Sequence, residues 1–260
     1  MTASKSGRAR LRLLGDFELS SGGEPLRVSG PAQRVLAYVA VVHGHRPVRR
    51  TTLAERLWPD ATSARAAQSL RSVLWRLPRP RGRALLTGRE TTVQLLGELQ
   101  VDLWEATELV DALRSGEPTD PGAAPVHDLG PLHHDLLPDW HEEWLDGERE
   151  SWRQKRLHAL ERCASALCER GAFTDALAAG LGAVRSEPLR ESAHRRVIAV
   201  HLAEGNHAEA LRQYDGYRRL LAAELGLPPS PEIHRMVAPL LGRPIERPVN
   251  RRGGRRSHPP

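Results

Sequence analysis

The chain has 260 residues, 40% hydrophobic and 27% charged, an ordinary globular composition with room for about two domains. No apolar run approaches the roughly 18 residues that cross a bilayer, and the opening MTASKSGRARLRLL lacks a signal-peptide core, so a cytoplasmic protein with no membrane partner is expected. The net charge of +6 conceals an uneven layout: residues 1–95 carry 17 basic and 6 acidic side chains, 96–241 carry 15 and 25, and 242–260 carry 6 and 1. A basic head on an acidic middle suggests that one end meets a polyanion. Two cysteines, Cys163 and Cys168, are too few for a disulfide framework or a four-ligand zinc site and read as core residues. Aromatics at 4% argue against a stacking platform for single strands, which duplex DNA does not need.

Arg10 to Val28 alternates weakly around Gly15-Asp16 and Ser21-Gly22-Gly23, which predicts a small β meander. Val35, Leu36, Val39 and Val42 then form one helical face that ends at Gly44 and Pro47. Thr52 and Glu55 have capping-box spacing, so a second helix is expected from there to Pro59. A third helix opens near Thr62 or Ser63, with Ala66, Leu70, Val73, Leu74 and Leu77 on one stripe, and stops at Pro78 and Pro80. Ala84–Thr87 and Thr91–Leu95 predict a hairpin with a polar tip. Strands, three short helices and a hairpin are the order of a winged helix.

Beyond Val101 the pattern is helical, broken by a Pro/Gly-rich linker between Gly116 and Pro131. A long helix is expected over about Asp139–Arg170, followed by helices near 173–185, 190–204, 207–225 and 230–241. Gly171, Ala176 and Leu177 recur 34 residues on as Gly205, Ala210 and Leu211, the period of tetratricopeptide hairpins. The fold class is thus mainly α with a small β component. Expected domains are a winged helix over 1–97, a tetratricopeptide-like helical domain over 98–241, and a disordered basic tail over 242–260.

Opposite the apolar stripe of the third helix, Arg65, Gln68, Ser72, Trp75, Arg76 and Arg79 project outward, with Arg71 and Ser69 on the flanks. One helix fits the major groove, where Arg pairs with guanine, Gln with adenine, and Ser with a base or phosphate. Arg50 and Thr51 lie where the free N–H groups of the second helix can hold a phosphate, and Arg89 sits at the hairpin tip. Against this, 36 of the 38 basic residues are Arg, so an Arg-rich face is equally the mark of a solvated surface. Trp75 either joins a binding surface or covers the hairpin. A rival metal site, His133-His134-Asp135 with His141-Glu142-Glu143, lacks the second His that a metalloprotease helix requires at position 145. No phosphate loop, dinucleotide turn or nucleophile elbow occurs, so no catalytic residue, metal or cofactor is expected.

The segments LRLLGDFEL, PAQRVLAYVAVVHGHRPVRRTTLAERLWPDA, SLRSVLWRL, VDLWEATELV, LLPDWHEEWLDGERESWRQKRLHALE and EGNHAEALRQYDGYRRLLAAELGLPPSPEI, in this order over about residues 11–241, resemble the Streptomyces antibiotic regulatory proteins. The resemblance implies an OmpR-like winged helix joined to a tetratricopeptide-like bacterial transcriptional activation domain. It further implies binding to promoter direct repeats as a homodimer, contact with RNA polymerase holoenzyme, and activation of secondary-metabolite operons. SLRSVLWRL then corresponds to the recognition helix, with Arg71, Ser72, Trp75 and Arg76 as DNA contacts. The loop with Pro59, Asp60 and Thr62 corresponds to a polymerase-facing element. LPRPRGR departs from relatives that continue this helix with more basic residues. The competing function is a protein-interaction scaffold without specific DNA readout.

Overall fold

A computed structural model describes residues 8–115 and 129–242. Three antiparallel strands open it: β1 (Ala9–Arg12), β2 (Glu18–Ser21) and β3 (Glu24–Pro25), with Leu11 opposite Leu19 and both buried. Gly22 and Gly23 both take positive φ at the tight turn, the conformation that glycine adopts without strain. Helix α1 (Gly30–Tyr38), with Pro31 in its first turn, runs on as a π-helical turn over Val39–His43 and stops at Gly44, as its sequence predicts. A two-residue strand, β4 (Val48–Arg49), leads directly into α2 (Arg50–Leu57).

The predicted capping box does not form: α2 starts at Arg50, ahead of Thr52, and its N-cap residue Arg49 makes no side-chain cap. The sheet takes that role. Strand β4 pairs with a later strand through Val48–Val93 and Arg49–Thr92, and the Arg50 N–H donates to the Thr91 carbonyl at 2.9 Å, so the helix springs from a strand end. Helix α3 (Ser63–Arg76) follows with Thr62 as its cap, the hydroxyl accepting from Arg65 N–H at 3.4 Å. Strands β5 (Leu86–Thr87) and β6 (Thr92–Leu95) form the hairpin, and β7 (Gln100–Val101) returns to lie parallel to β1. The two sheets have the orders β3-β2-β1-β7 and β4-β6-β5. Strands β4 and β7 have no counterpart in the periodicity, because two residues cannot establish a period.

The helical half begins with α4 (Asp102–Ser115), and α5 (Glu143–Glu169) follows the linker. The latter starts four residues later than predicted, since Arg149 gathers the carbonyls of Leu136, Leu137, Pro138 and Trp140 and holds that stretch in a turn. Helices α6 (Phe173–Ser186), α7 (Glu191–Glu204), α8 (His207–Leu225) and α9 (Pro231–Leu241) follow close to expectation, and consecutive members pack on one another. The repeat is visible in three dimensions: Gly171 and Gly205 both take left-handed conformations at helix ends, while Ala176 and Ala210 are wholly buried where helices approach closely. The expected basic tail, apart from Gly242, and the centre of the linker lie outside the described residues.

The head and the helical half are joined. The expected boundary at 97/98 falls just before β7, which completes the first sheet and runs into α4. There the buried Asp102 carboxylate accepts from the backbone N–H groups of Leu13 (2.8 Å), Leu14 (3.0 Å) and Leu103 (2.7 Å). Burial pushes this carboxyl above its usual range, and the three N–H groups partly offset that shift. Trp104 donates to the Ala40 carbonyl, Arg34 pairs with Glu142, Phe17 stacks on Trp140, and Tyr38 meets the edge of Trp144. One apolar core consequently runs from Leu11 to Ala193, and a second lies around Ile198, Tyr217 and Ile233.

Candidate nucleic-acid interface

Helix α3 divides its surface cleanly. Ala66, Leu70, Val73 and Leu77 are buried against α1 and α2, with Leu74 half-buried beside them. The opposite side exposes Arg65, Gln68, Arg71, Ser72, Trp75 and Arg76, whereas Arg79, also expected on that face, lies past the end of the helix at Arg76. Trp75 is 81% exposed and so does not cover the hairpin. Among the described residues none of Arg65, Arg71, Arg76, Arg79 and Arg89 stands within ion-pair distance of a carboxylate. A row of guanidiniums, one amide and one hydroxyl on a rigid helix is a set of free donors matched to base edges and phosphates.

The surroundings sort the remaining candidates. Arg50, Arg79 and the hairpin residues Leu85 to Gly88 and Val93 share a cleft of about 170 Å³ under the C-terminal end of α3. Arg50 is half-buried and its Nε has no partner there, while Thr51 is exposed on the first turn of α2. Arg89 lies at the hairpin tip, where Gly88 is required: a Cβ on it would collide with the Thr92 carbonyl oxygen. Arg83, by contrast, is ion-paired with Glu98. Pro59 and Asp60 are exposed between α2 and α3, and Thr62 is committed to capping α3.

The histidine and acid cluster is partly taken up by the fold, with His134, His141 and Glu143 left exposed. Trp152 Nε1 donates to the His134 carbonyl, Asp135 pairs with the buried Arg156, and Glu142 accepts from Arg34 and Trp144. His133 packs against Gly182 of α6. Among the described residues no group of three or more His, Cys, Asp or Glu is placed to hold a metal ion, and no helix is long and apolar enough to cross a membrane. Cys163 is a free buried thiol whose pKa burial raises, and Cys168 is half-buried. Sequence reasoning missed the residues that fasten the head to the helices, Asp102 and Arg149. An Asp opening a helix directly after a strand, in VDLW, is the one signal that pointed to the first of them.

Residues 101–241 match the family described as the bacterial transcriptional activator domain. The chain is 26% identical over 247 residues to the regulatory protein AfsR of Streptomyces coelicolor, and 25% identical over 229 residues to AfsR of Streptomyces griseus. These alignments cover 91% and 86% of the chain but only 24% of each relative, so the chain spans about a quarter of their length. In fold it is similar to Mycobacterium tuberculosis EmbR, solved in complex with a low-affinity phosphopeptide, with a TM-score of 0.64 and 19% identity over 91% of this chain and 65% of that one. The chain belongs to the bacterial transcriptional activator domain family.

Proposed function

We propose that the protein is a sequence-specific duplex-DNA-binding transcriptional activator in which α3 enters the major groove. The observation that carries this reading is the outward face of α3, where Arg65, Gln68, Arg71, Ser72 and Arg76 present donors that nothing in the described residues neutralises. Arg71, Ser72 and Arg76 read base edges, Arg65 and Gln68 extend the reading toward the start of the helix, and Arg50, Thr51, Arg79 and Arg89 hold phosphates. The protein acts in the cytoplasm, binds direct repeats in promoters of a biosynthetic operon as a homodimer, and meets RNA polymerase holoenzyme through the loop with Pro59, Asp60 and Thr62. The helical half supports these protein contacts. Genome-wide mapping of bound DNA, followed by titration of the recovered site against Arg71→Ala and Arg76→Ala, tests the reading. Loss of base discrimination by about 1–3 kcal/mol in either variant is expected. Unchanged affinity and base preference in both would refute it.

A further inference from the structure

The chain has six tryptophans, and five of them pack. Trp58, Trp104, Trp140, Trp144 and Trp152 all join the main core, and the indole N–H groups of Trp104, Trp144 and Trp152 are hydrogen-bonded. Trp75 alone stands 81% exposed, whereas the other exposed large hydrophobics reach only 37 to 56%. At 100° per residue it points about 160° away from the centre of the buried stripe of α3, one turn beyond Arg71 and Ser72 and beside Arg76. It is the apolar member of an otherwise polar, cationic face.

We infer that Trp75 is a specificity determinant that recognises thymine, its ring covering the C5-methyl group of one thymine in the major groove. The inference rests on the DNA-binding reading above and adds the base that this position selects. The edges of all four base pairs in that groove are hydrogen-bond donors and acceptors, except for one apolar group, the thymine methyl. An indole has a single N–H donor and no acceptor, so it cannot make the bidentate contact by which a guanidinium reads guanine, and its large surface is apolar. Its face is complementary to a methyl. The neighbouring Arg71, Ser72 and Arg76 supply the polar contacts that fix the ring in register.

The test uses the full chain and a duplex selected by it from a random library, in which each thymine is replaced in turn by deoxyuridine, removing only the methyl. One replacement should weaken binding about fourfold, the equivalent of one buried methyl group. Trp75→Ala should bind the thymine duplex more weakly and be indifferent to that replacement, while Arg89→Ala, at the hairpin tip away from the ring, keeps the penalty. At the same position 5-iododeoxyuridine should photo-crosslink to Trp75, which mass spectrometry identifies even where the Ala variant binds too weakly to titrate. Insensitivity to every uridine, a penalty that persists in Trp75→Ala, or a crosslink to another residue overturns the assignment while leaving DNA binding intact. If no duplex is enriched at all, the DNA-binding reading itself fails and takes this inference with it.

Discussion

Arginine dominates the basic residues of both halves of the molecule, yet the two halves use it differently. In the helical half Arg153 faces Glu150 and Glu187, Arg156 meets Asp135, Arg190 meets Glu161, and Arg212, Arg218 and Arg235 each pair with an acid three residues earlier. On the outward face of α3, Arg65, Arg71 and Arg76 meet no carboxylate among the described residues. The head also pairs arginines where they lie away from that face, as in Arg10 with Glu105 and Arg12 with Glu18. An Arg-rich composition is therefore no guide to binding by itself. Among the described residues unpaired arginines also occur in the helical half, as at Arg170, Arg185 and Arg196, so what distinguishes α3 is that its three unpaired arginines share one face of one helix with Gln68, Ser72 and Trp75.

Substitutions that exchange stability for recognition would break this contrast, and the largest effect is expected in the buried network. Glu161 accepts from both Arg190 and Ser192 at 2.6 Å, so Glu161→Ala should cost about 3 kcal/mol in urea denaturation at pH 7 without altering DNA discrimination. Burial opposes ionisation of Glu161, but the bonds from Arg190 and Ser192 outweigh it and hold its pKa below the usual 4.5. A carboxyl with a lowered folded pKa stabilises above its ordinary value and loses that contribution as pH falls through the folded one. The stability deficit of Glu161→Gln should accordingly shrink as the pH is lowered below 4.5.

The reverse pattern is expected on α3. Arg71→Ala or Arg76→Ala should lose about 1–3 kcal/mol of base discrimination in a fluorescence-anisotropy titration while the unfolding free energy from urea denaturation changes by less than about 0.5 kcal/mol. A smaller change is expected for Arg50→Ala or Arg79→Ala, which should weaken all duplexes alike and lower the salt slope of binding by about 0.9 per lost phosphate contact. Smallest of all, Arg212→Ala removes an exposed pair with Glu209 and should change stability by less than about 0.5 kcal/mol and DNA binding not at all. A large effect on recognition from that distant variant would dissolve the contrast between the two halves.

Much of this was legible in the chain. The stripe from Ala66 to Leu77 placed α3 and hence its outward residues, because burial on one side of a helix sets what the other side exposes. The 34-residue recurrence of Gly171 and Ala176 located the helix pairs, since close packing and left-handed turns admit few residue types. The start of α2 was misread because Thr52 and Glu55 have the right local spacing, but the pairing of β4 with β6, more than 40 residues away in sequence, settles where the helix begins. The start of α5 was misread for a similar reason, with Arg149 reaching back to carbonyls that local propensity does not register.

The sequence by itself determined the periodic elements, the order of a winged helix and a helical array, and the segregation of charge along the chain. These are properties of near neighbours, and near neighbours are what a linear pattern records. Only the tertiary structure decided which arginines are spent on carboxylates and which stay free, that Trp75 stays exposed instead of covering the hairpin, and that Asp102 welds the head to the helices. Each of these depends on groups brought together from distant positions, and pairing, burial and desolvation act on distance in space, not on separation along the chain.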